Sequence, residues 1–264
     1  MLKQRTITAL VLFLIAYLVL FHTPPAWFAV GCWSLCLIAM YELTTMYHFN
    51  RWQKLLLLGF TTALVASLQF INYDISQIIR IVTVITWCFV VPLILIFLPS
   101  RFSKITIAAL SIIVFIPAYY ALTVIHALFG PWQLVSIMAI AWVADTGAYF
   151  IGRKFGRRKL AKAISPGKSI EGAIGGIVLV CFYLFILHHF NAAVYLPDLR
   201  NVLKFGLIVT CVSIIGDLFE SWLKRVAAVK DSSNLLPGHG GVFDRIDSLI
   251  AVLAIAFAII RGMI

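Results

Sequence analysis

Charge is what this sequence has least of. Asp, Glu, Lys and Arg make up 12% of its 264 residues, about half the roughly 25% of an ordinary soluble domain. Only ten residues are acidic, while hydrophobic residues reach 62% and the mean hydropathy is +1.03. So little charge excludes a disordered chain. It also excludes a water-soluble globular domain, which would leave large apolar patches facing solvent. Long polar stretches are absent too, as are internal repeats, low-complexity segments and long linkers. The chain is therefore read as one integral membrane domain over 1–264, with 1–130 supplying amino-terminal spans and 131–264 forming the half that carries the motifs. The five cysteines (Cys32, Cys36, Cys88, Cys181, Cys211) all lie inside apolar segments. That placement implies no disulfide framework and leaves them as small buried residues. A good cleavage site is missing after the first apolar segment, where His22-Thr-Pro-Pro-Ala26 follows, so this segment is read as a retained span rather than a signal peptide.

What is present is a series of apolar runs of bilayer length. Nine are read as helical spans, at roughly 6–22, 26–43, 55–71, 80–98, 105–128, 132–150, 172–189, 202–220 and 246–262. The expected fold class is an all-α polytopic bundle. With the amino terminus inside, the outer side holds Arg80, Arg200, Lys204 and Arg261, and the inner side holds the other 17 of the 21 Lys and Arg. This is the arrangement the positive-inside rule favours. The net charge of +11 then sits mostly on the cytoplasmic face, where it suits anionic membrane lipids rather than nucleic acid.

Seven of the ten acids gather towards that face in the second half: Asp145, Glu171, Asp217, Glu220, Asp231, Asp244 and Asp247. Ionisable residues in spans cost about 2.5–3.5 kcal/mol each on insertion scales and mark functional sites. Asp217 and Glu220 are three residues apart, as are Asp244 and Asp247, so each pair is expected to share a helix face. A hard, oxygen-ligated cation such as Mg²⁺ would relieve their repulsion; salt bridges to the interleaved Lys and Arg are the competing reading. Glu42, alone in the second span, lies outside this grouping and is expected to tolerate neutralisation.

Basic residues and glycines are interleaved with the acids. Ser221, Lys224 and Arg225 follow Glu220, and then come Lys230-Asp231, Pro237-Gly-His-Gly-Gly241 and Asp244-Arg245-Ile-Asp247. The glycines bracketing His239, Gly238 and Gly240, allow close approach of a ligand, and a helix starting just after this loop would aim its N-terminal dipole at an anion. His239 is assigned orientation rather than base catalysis, because an anionic phosphate nucleophile needs no base. Ser165-Pro-Gly-Lys-Ser169 is read as a further phosphate loop with Lys168 as its point charge. It is not a Walker A motif, since Lys162 stands where that motif needs glycine.

These strings, with Ala144-Asp-Thr-Gly-Ala-Tyr149 and Gly152-Arg153 upstream, resemble the phosphatidate cytidylyltransferase (CDP-diacylglycerol synthase) family over Asp145 to Ser248. The resemblance implies transfer of a cytidylyl group from CTP to phosphatidate, giving CDP-diacylglycerol and pyrophosphate. It also implies dependence on Mg²⁺, with a second cation left open, and a homodimer. It places the metal on Asp217, Asp244 and Asp247, and catalysis on Asp217, Asp244, Lys224 and Arg245. Substrate binding falls to Asp145, Ser165, Lys168, Ser169, Glu220, Ser221, Arg225, Lys230, Asp231, His239, Gly240 and Gly241. Departures from the family pattern are Ile170, where an aromatic residue is frequent, and Ser233, where glycine is. The missing transit segment points to a bacterial inner membrane.

Three other readings compete. A transporter would carry its acids near the midplane of two related halves, whereas these acids sit at span ends in one half. An enzyme that consumes CDP-diacylglycerol resembles a D-G-x-x-A-R pattern, which does not occur here. A non-enzymatic lipid-binding protein would have no use for so complete a set of acids and bases. Within the site, Lys168 and Lys230 are assigned to CTP and Arg225 to phosphatidate, because the lysines lie farther from the spans.

Overall fold

The computed structural model describes residues 2–68, 75–196 and 198–263. The chain folds as α1 (Leu2–His22), α2 (Pro25–Met46), α3 (Arg51–Leu68), α4 (Ser76–Ile85), a π-helical turn (Thr86–Val90), α5 (Val91–Phe97), α6 (Lys104–Phe155), β1 (Lys159–Ala161), β2 (Ser165–Ser169), α7 (Ile170–His189), α8 (Leu199–Val226) and α9 (Phe243–Met263). Apolar segments become helices because a helix satisfies every backbone polar group within the segment, which lipid demands. The wide turn between α4 and α5 precedes Pro92, whose missing N–H and ring disturb the regular ladder.

Each of the nine apolar segments falls on helix, with residues 69–71 of the third lying outside the described residues. Among the described residues, five helices are long and apolar enough to cross a membrane: α2, the continuous Ser76–Phe97 unit, α6, α7 and α8. The expected pair of spans at 105–128 and 132–150 forms the single 52-residue run of α6. At 1.5 Å per residue that run would measure about 78 Å if straight, more than twice a bilayer core. It is broken at Gly130, which takes φ 80° and ψ 175° immediately before Pro131.

α9 differs most from the sequence picture of a lipid-facing span. From Ser248 to Ala258 every residue is buried, with α2, α4, α6 and α8 packed around it. A helix apolar on all sides fits such a central place. Against α6, α7 packs through small residues: a Cβ on Gly176 would lie 2.8 Å from the Ala144 carbonyl oxygen. This close approach sets Asp145 on α6 beside the start of α7 and the strands preceding it. Two short strands add to the helical plan among the described residues. β1 and β2 pair antiparallel, Lys159 opposite Ser169 and Ala161 opposite Ser165, so the Ser165–Ser169 segment read as a loop is a strand.

Candidate active site

The acids of α8 and α9 meet in rungs that run across the helices, not along them. Gly216 lies against Asp247 and Ala251, and Lys224 reaches Asp244, so the two helices run antiparallel. The rung farther from the connecting loop sets Asp217 and Asp247 within electrostatic reach of each other, of Asp145 on α6 and of Lys168 on β2. Lys168 is ion-paired with Asp217. In the next rung the Lys224 ammonium is shared between Glu220 Oε2 and Asp244 Oδ1, each at 2.7 Å. The sequence pairs Asp217–Glu220 and Asp244–Asp247 are thus split between rungs. Antiparallel packing brings the first acid of one helix to the second acid of the other.

The Asp217 rung opens into a cleft of about 460 Å³ between α6, β2, α7 and α8, lined by Asp145, Ser165, Lys168, Ser169 and Asp217 with Ala144, Tyr149, Ala173 and Ile214. One end is charged and the walls are largely apolar. Ser169 lines this cleft, but its hydroxyl caps α7 by accepting the Gly172 N–H at 3.1 Å. Glu171 accepts the amides of Arg157 at 3.0 Å and Arg158 at 3.2 Å, tying the end of α6 to the start of α7. Ser221 gives Asp217 a long contact of 3.3 Å. Arg225 reaches the Ile164 carbonyl in the hairpin turn at 3.4 Å.

A second cleft, of about 520 Å³, lies in the loop before α9 and is lined by Lys230, Asp231, Asn234, Leu236–Gly240 and Arg245. Gly238 and Gly240 take φ of 77° and 81°, which side-chain-bearing residues rarely adopt. These angles let Leu236 N–H donate to the Gly240 carbonyl and His239 N–H to the Leu236 carbonyl, both at 2.8 Å. Arg245 braces the turn by donating from Nε to the His239 carbonyl at 3.0 Å. His239 Nδ1 is buried and, among the described residues, has no hydrogen-bond partner. Lys168 and Lys230, expected to act on one substrate, therefore line different clefts.

The expectation that α9 offers its N-terminus to an anion is corrected by the residues that occupy it. The N–H groups of Val242 and Phe243 donate to Glu42 Oε1 at 2.9 Å and Oε2 at 2.8 Å. Gly241 N–H donates to Asp244 Oδ2 at 2.8 Å. The carboxylates of the protein itself take the first amides of the helix. Glu42 also receives Ser232 Oγ at 2.9 Å and Ser233 Oγ at 2.6 Å, and it is buried. Glu42, read from the sequence as lying outside the motif, thus packs against the residues that flank the loop before α9. One signal for it existed, a lone acid in an apolar helix, but the acid's partners lie about 200 residues away.

The acids in the rungs offer oxygen donors only, the chemistry of a hard cation. Among the described residues, no three His, Cys, Asp or Glu side chains converge to hold a metal. An ammonium lies on Asp217 and another on Asp244, each supplying the positive charge a cation would bring. Asp244 Oδ2 already accepts from Ser232 N–H and Gly241 N–H, which leaves Oδ1, facing Lys224, for any cation. By the chemistry of their oxygens alone, and not by their placement, Asp217, Asp247 and that one oxygen of Asp244 suit a hard divalent ion.

Comparison with known proteins bears on the family of the chain. The model of the cytidylyltransferase family matches residues 3–263. The chain is 34% identical to the phosphatidate cytidylyltransferase of Haemophilus influenzae over 96% of each chain. It is 35% identical to that of Pseudomonas aeruginosa over 98% of this chain and 97% of the relative. To the Thermotoga maritima phosphatidate cytidylyltransferase it is 38% identical over 62% of each chain. This chain belongs to the cytidylyltransferase family and is a nucleotidyltransferase of phospholipid biosynthesis.

Proposed function

We propose that the chain transfers the cytidylyl group of CTP to phosphatidate, forming CDP-diacylglycerol and pyrophosphate at the cytoplasmic face of a bacterial inner membrane. The observation that carries this reading is the placing of two clefts on one set of interleaved acids and bases. One cleft has largely apolar walls and is lined by Asp145, Lys168 and Asp217. The other is polar and is lined by Lys230, Asp231 and Arg245, the last adjacent in sequence to Asp244. A membrane-borne phosphate and a soluble triphosphate need such a pair of sites, and the names of the relatives point the same way. Nine passes with the amino terminus inside put these clefts on the cytoplasmic side, and a homodimer is part of the same proposal.

In the reaction, a phosphate oxygen of phosphatidate forms a bond to the α-phosphorus of CTP while the bond from that phosphorus to the bridging oxygen breaks, and pyrophosphate leaves. The nucleophile is already anionic, so positioning and charge neutralisation carry most of the rate. Asp217, Asp244 and Asp247 are the residues that would hold Mg²⁺, which when bound supplies neutralising charge to the phosphates. Lys168 and Asp145 hold the head of the membrane substrate in the apolar-walled cleft. Lys230, His239 and Arg245 hold the polyphosphate, and Lys224 balances Glu220 and Asp244 between them.

Purified protein in lipid vesicles tests the proposal. Pyrophosphate is expected from CTP only when phosphatidate and Mg²⁺ are both present. Release of pyrophosphate without phosphatidate, or no release with both, sinks it.

A further inference from the structure

We propose that Glu42 is a positioning residue for the nucleotide side of the reaction. Its carboxylate closes the neck of the loop that forms the polar cleft. This inference rests on the function proposed above and concerns a residue of the amino-terminal half, far in sequence from every motif.

Glu42 is 3% exposed and takes four donors, from Ser232, Ser233, Val242 and Phe243, at 2.6–2.9 Å. Four contacts fill the acceptor capacity of a carboxylate. They fall on two stretches of chain, the two serines where the loop leaves and the two residues where it returns to α9. Between those stretches lie Asn234 and the Leu236–Gly240 turn that line the cleft. One side chain thus ties both ends of the loop to a helix that the loop does not otherwise belong to. An isolated capping serine or threonine would satisfy the amides of α9. Only an acceptor with four sites also gathers the serines.

The tie reaches the rung of acids directly. Ser232 Oγ lies 2.9 Å from Glu42 and 3.0 Å from Asp244 Oδ2, and the Ser232 N–H holds the same Asp244 oxygen at 2.9 Å. Asp244 is thereby turned so that its other oxygen faces Lys224. There is no slack at the neck. A Cβ on Gly241 would run into the Ser232 hydroxyl and the Glu42 carboxylate. Loss of the clamp frees the turn carrying His239, on which the Arg245 brace closes, while the Lys168 cleft, built on α6, α7 and the hairpin, keeps its own supports.

Steady-state kinetics with each substrate varied separately, on protein in vesicles whose thermal unfolding is followed in parallel, test this. Glu42→Gln keeps the shape but removes the charge and two acceptor sites. It is expected to raise the KM for CTP about tenfold or more while leaving the KM for phosphatidate within about threefold. Ser233→Ala, which removes one donor, should shift the same constant in the same direction by about two- to threefold. A folded Glu42→Gln protein with an unchanged KM for CTP, or with both KM values raised alike, overturns the inference. So does a fall in kcat alone, the mark of a smaller folded fraction. Should Glu42→Gln fail to fold, Ser233→Ala decides, and an unchanged KM for CTP overturns it. Wild-type protein that does not turn over CTP with phosphatidate defeats the functional reading itself. Active wild type beside an indistinguishable Glu42→Gln defeats the positioning role alone.

Discussion

Glu42, near the end of α2, accepts the backbone N–H of Phe243, the first residue of α9, at 2.8 Å across 201 residues of sequence. The contact joins the half of the chain that reads as plain membrane span to the half that holds the motifs. It also fills the helix terminus that the sequence suggested for a phosphate. In the function proposed above, anion binding falls instead to side chains and to the glycine turn before the helix.

The two rungs of acids make separate demands. Asp217→Asn loses the partner of Lys168 and the carboxylate facing Asp247. Asp244→Asn replaces an acceptor that serves Lys224, Ser232 and Gly241 with a group half of which can only donate. Each variant is expected to lower kcat/KM by a hundredfold or more, about 2.7 kcal/mol or above, while still inserting and melting cooperatively. Pyrophosphate release measured at limiting and at saturating Mg²⁺ checks this. Near-normal turnover at limiting Mg²⁺ in either variant removes that residue from the proposed metal site.

Lys168 and Lys230 should part company in kinetics, because they line different clefts. Lys168→Ala is expected to raise the KM for phosphatidate and Lys230→Ala the KM for CTP. Each loses one charge-assisted contact of roughly 1.5–3 kcal/mol, about ten- to over a hundredfold. Assigning both lysines to CTP on their distance from the spans failed to anticipate a hairpin that folds Lys168 back against α8. If both variants shift the same constant, the two clefts act as one site.

Sidedness can be read by labelling. Lys159 and Leu235 are exposed, one in β1 and the other in the loop before α9. In a background without the native cysteines, Lys159→Cys and Leu235→Cys should react with an impermeant thiol reagent only after the inner face of the membrane is opened. Ser232 is the wrong position for such a label, since it is buried and bridges Glu42 to Asp244. Labelling of both sites in intact cells contradicts a cytoplasmic active face.

The α6–α7 contact should be intolerant of added volume. Gly176→Ala puts a methyl group 2.8 Å from the Ala144 carbonyl oxygen, backbone that cannot swing aside as a side chain would. A loss of about 1–3 kcal/mol is expected, read as a lower melting temperature in detergent. Turnover should fall with it, because Asp145 is the next residue after Ala144. An unchanged melting temperature would show that the helices separate freely.

What the sequence determines here is whatever depends on local composition and period. Runs of apolar residues become helices here because within a single segment only a helix satisfies its own backbone, and their positions were legible to within a few residues, although the runs at 105–128 and 132–150 form one helix. The motif from Lys224 to Asp247 was legible as a site because acids and glycines are costly in such a chain and cluster in it. The tertiary structure decided which of those charges meet. Antiparallel packing of α8 on α9 pairs Asp217 with Asp247 and Glu220 with Asp244 through Lys224, where spacing along one helix suggested the opposite pairs. Packing of α2 against the start of α9 drew in Glu42, and pairing of β1 with β2 moved Lys168 away from Lys230. A helix period records which residues share a face, but not which neighbour that face will find.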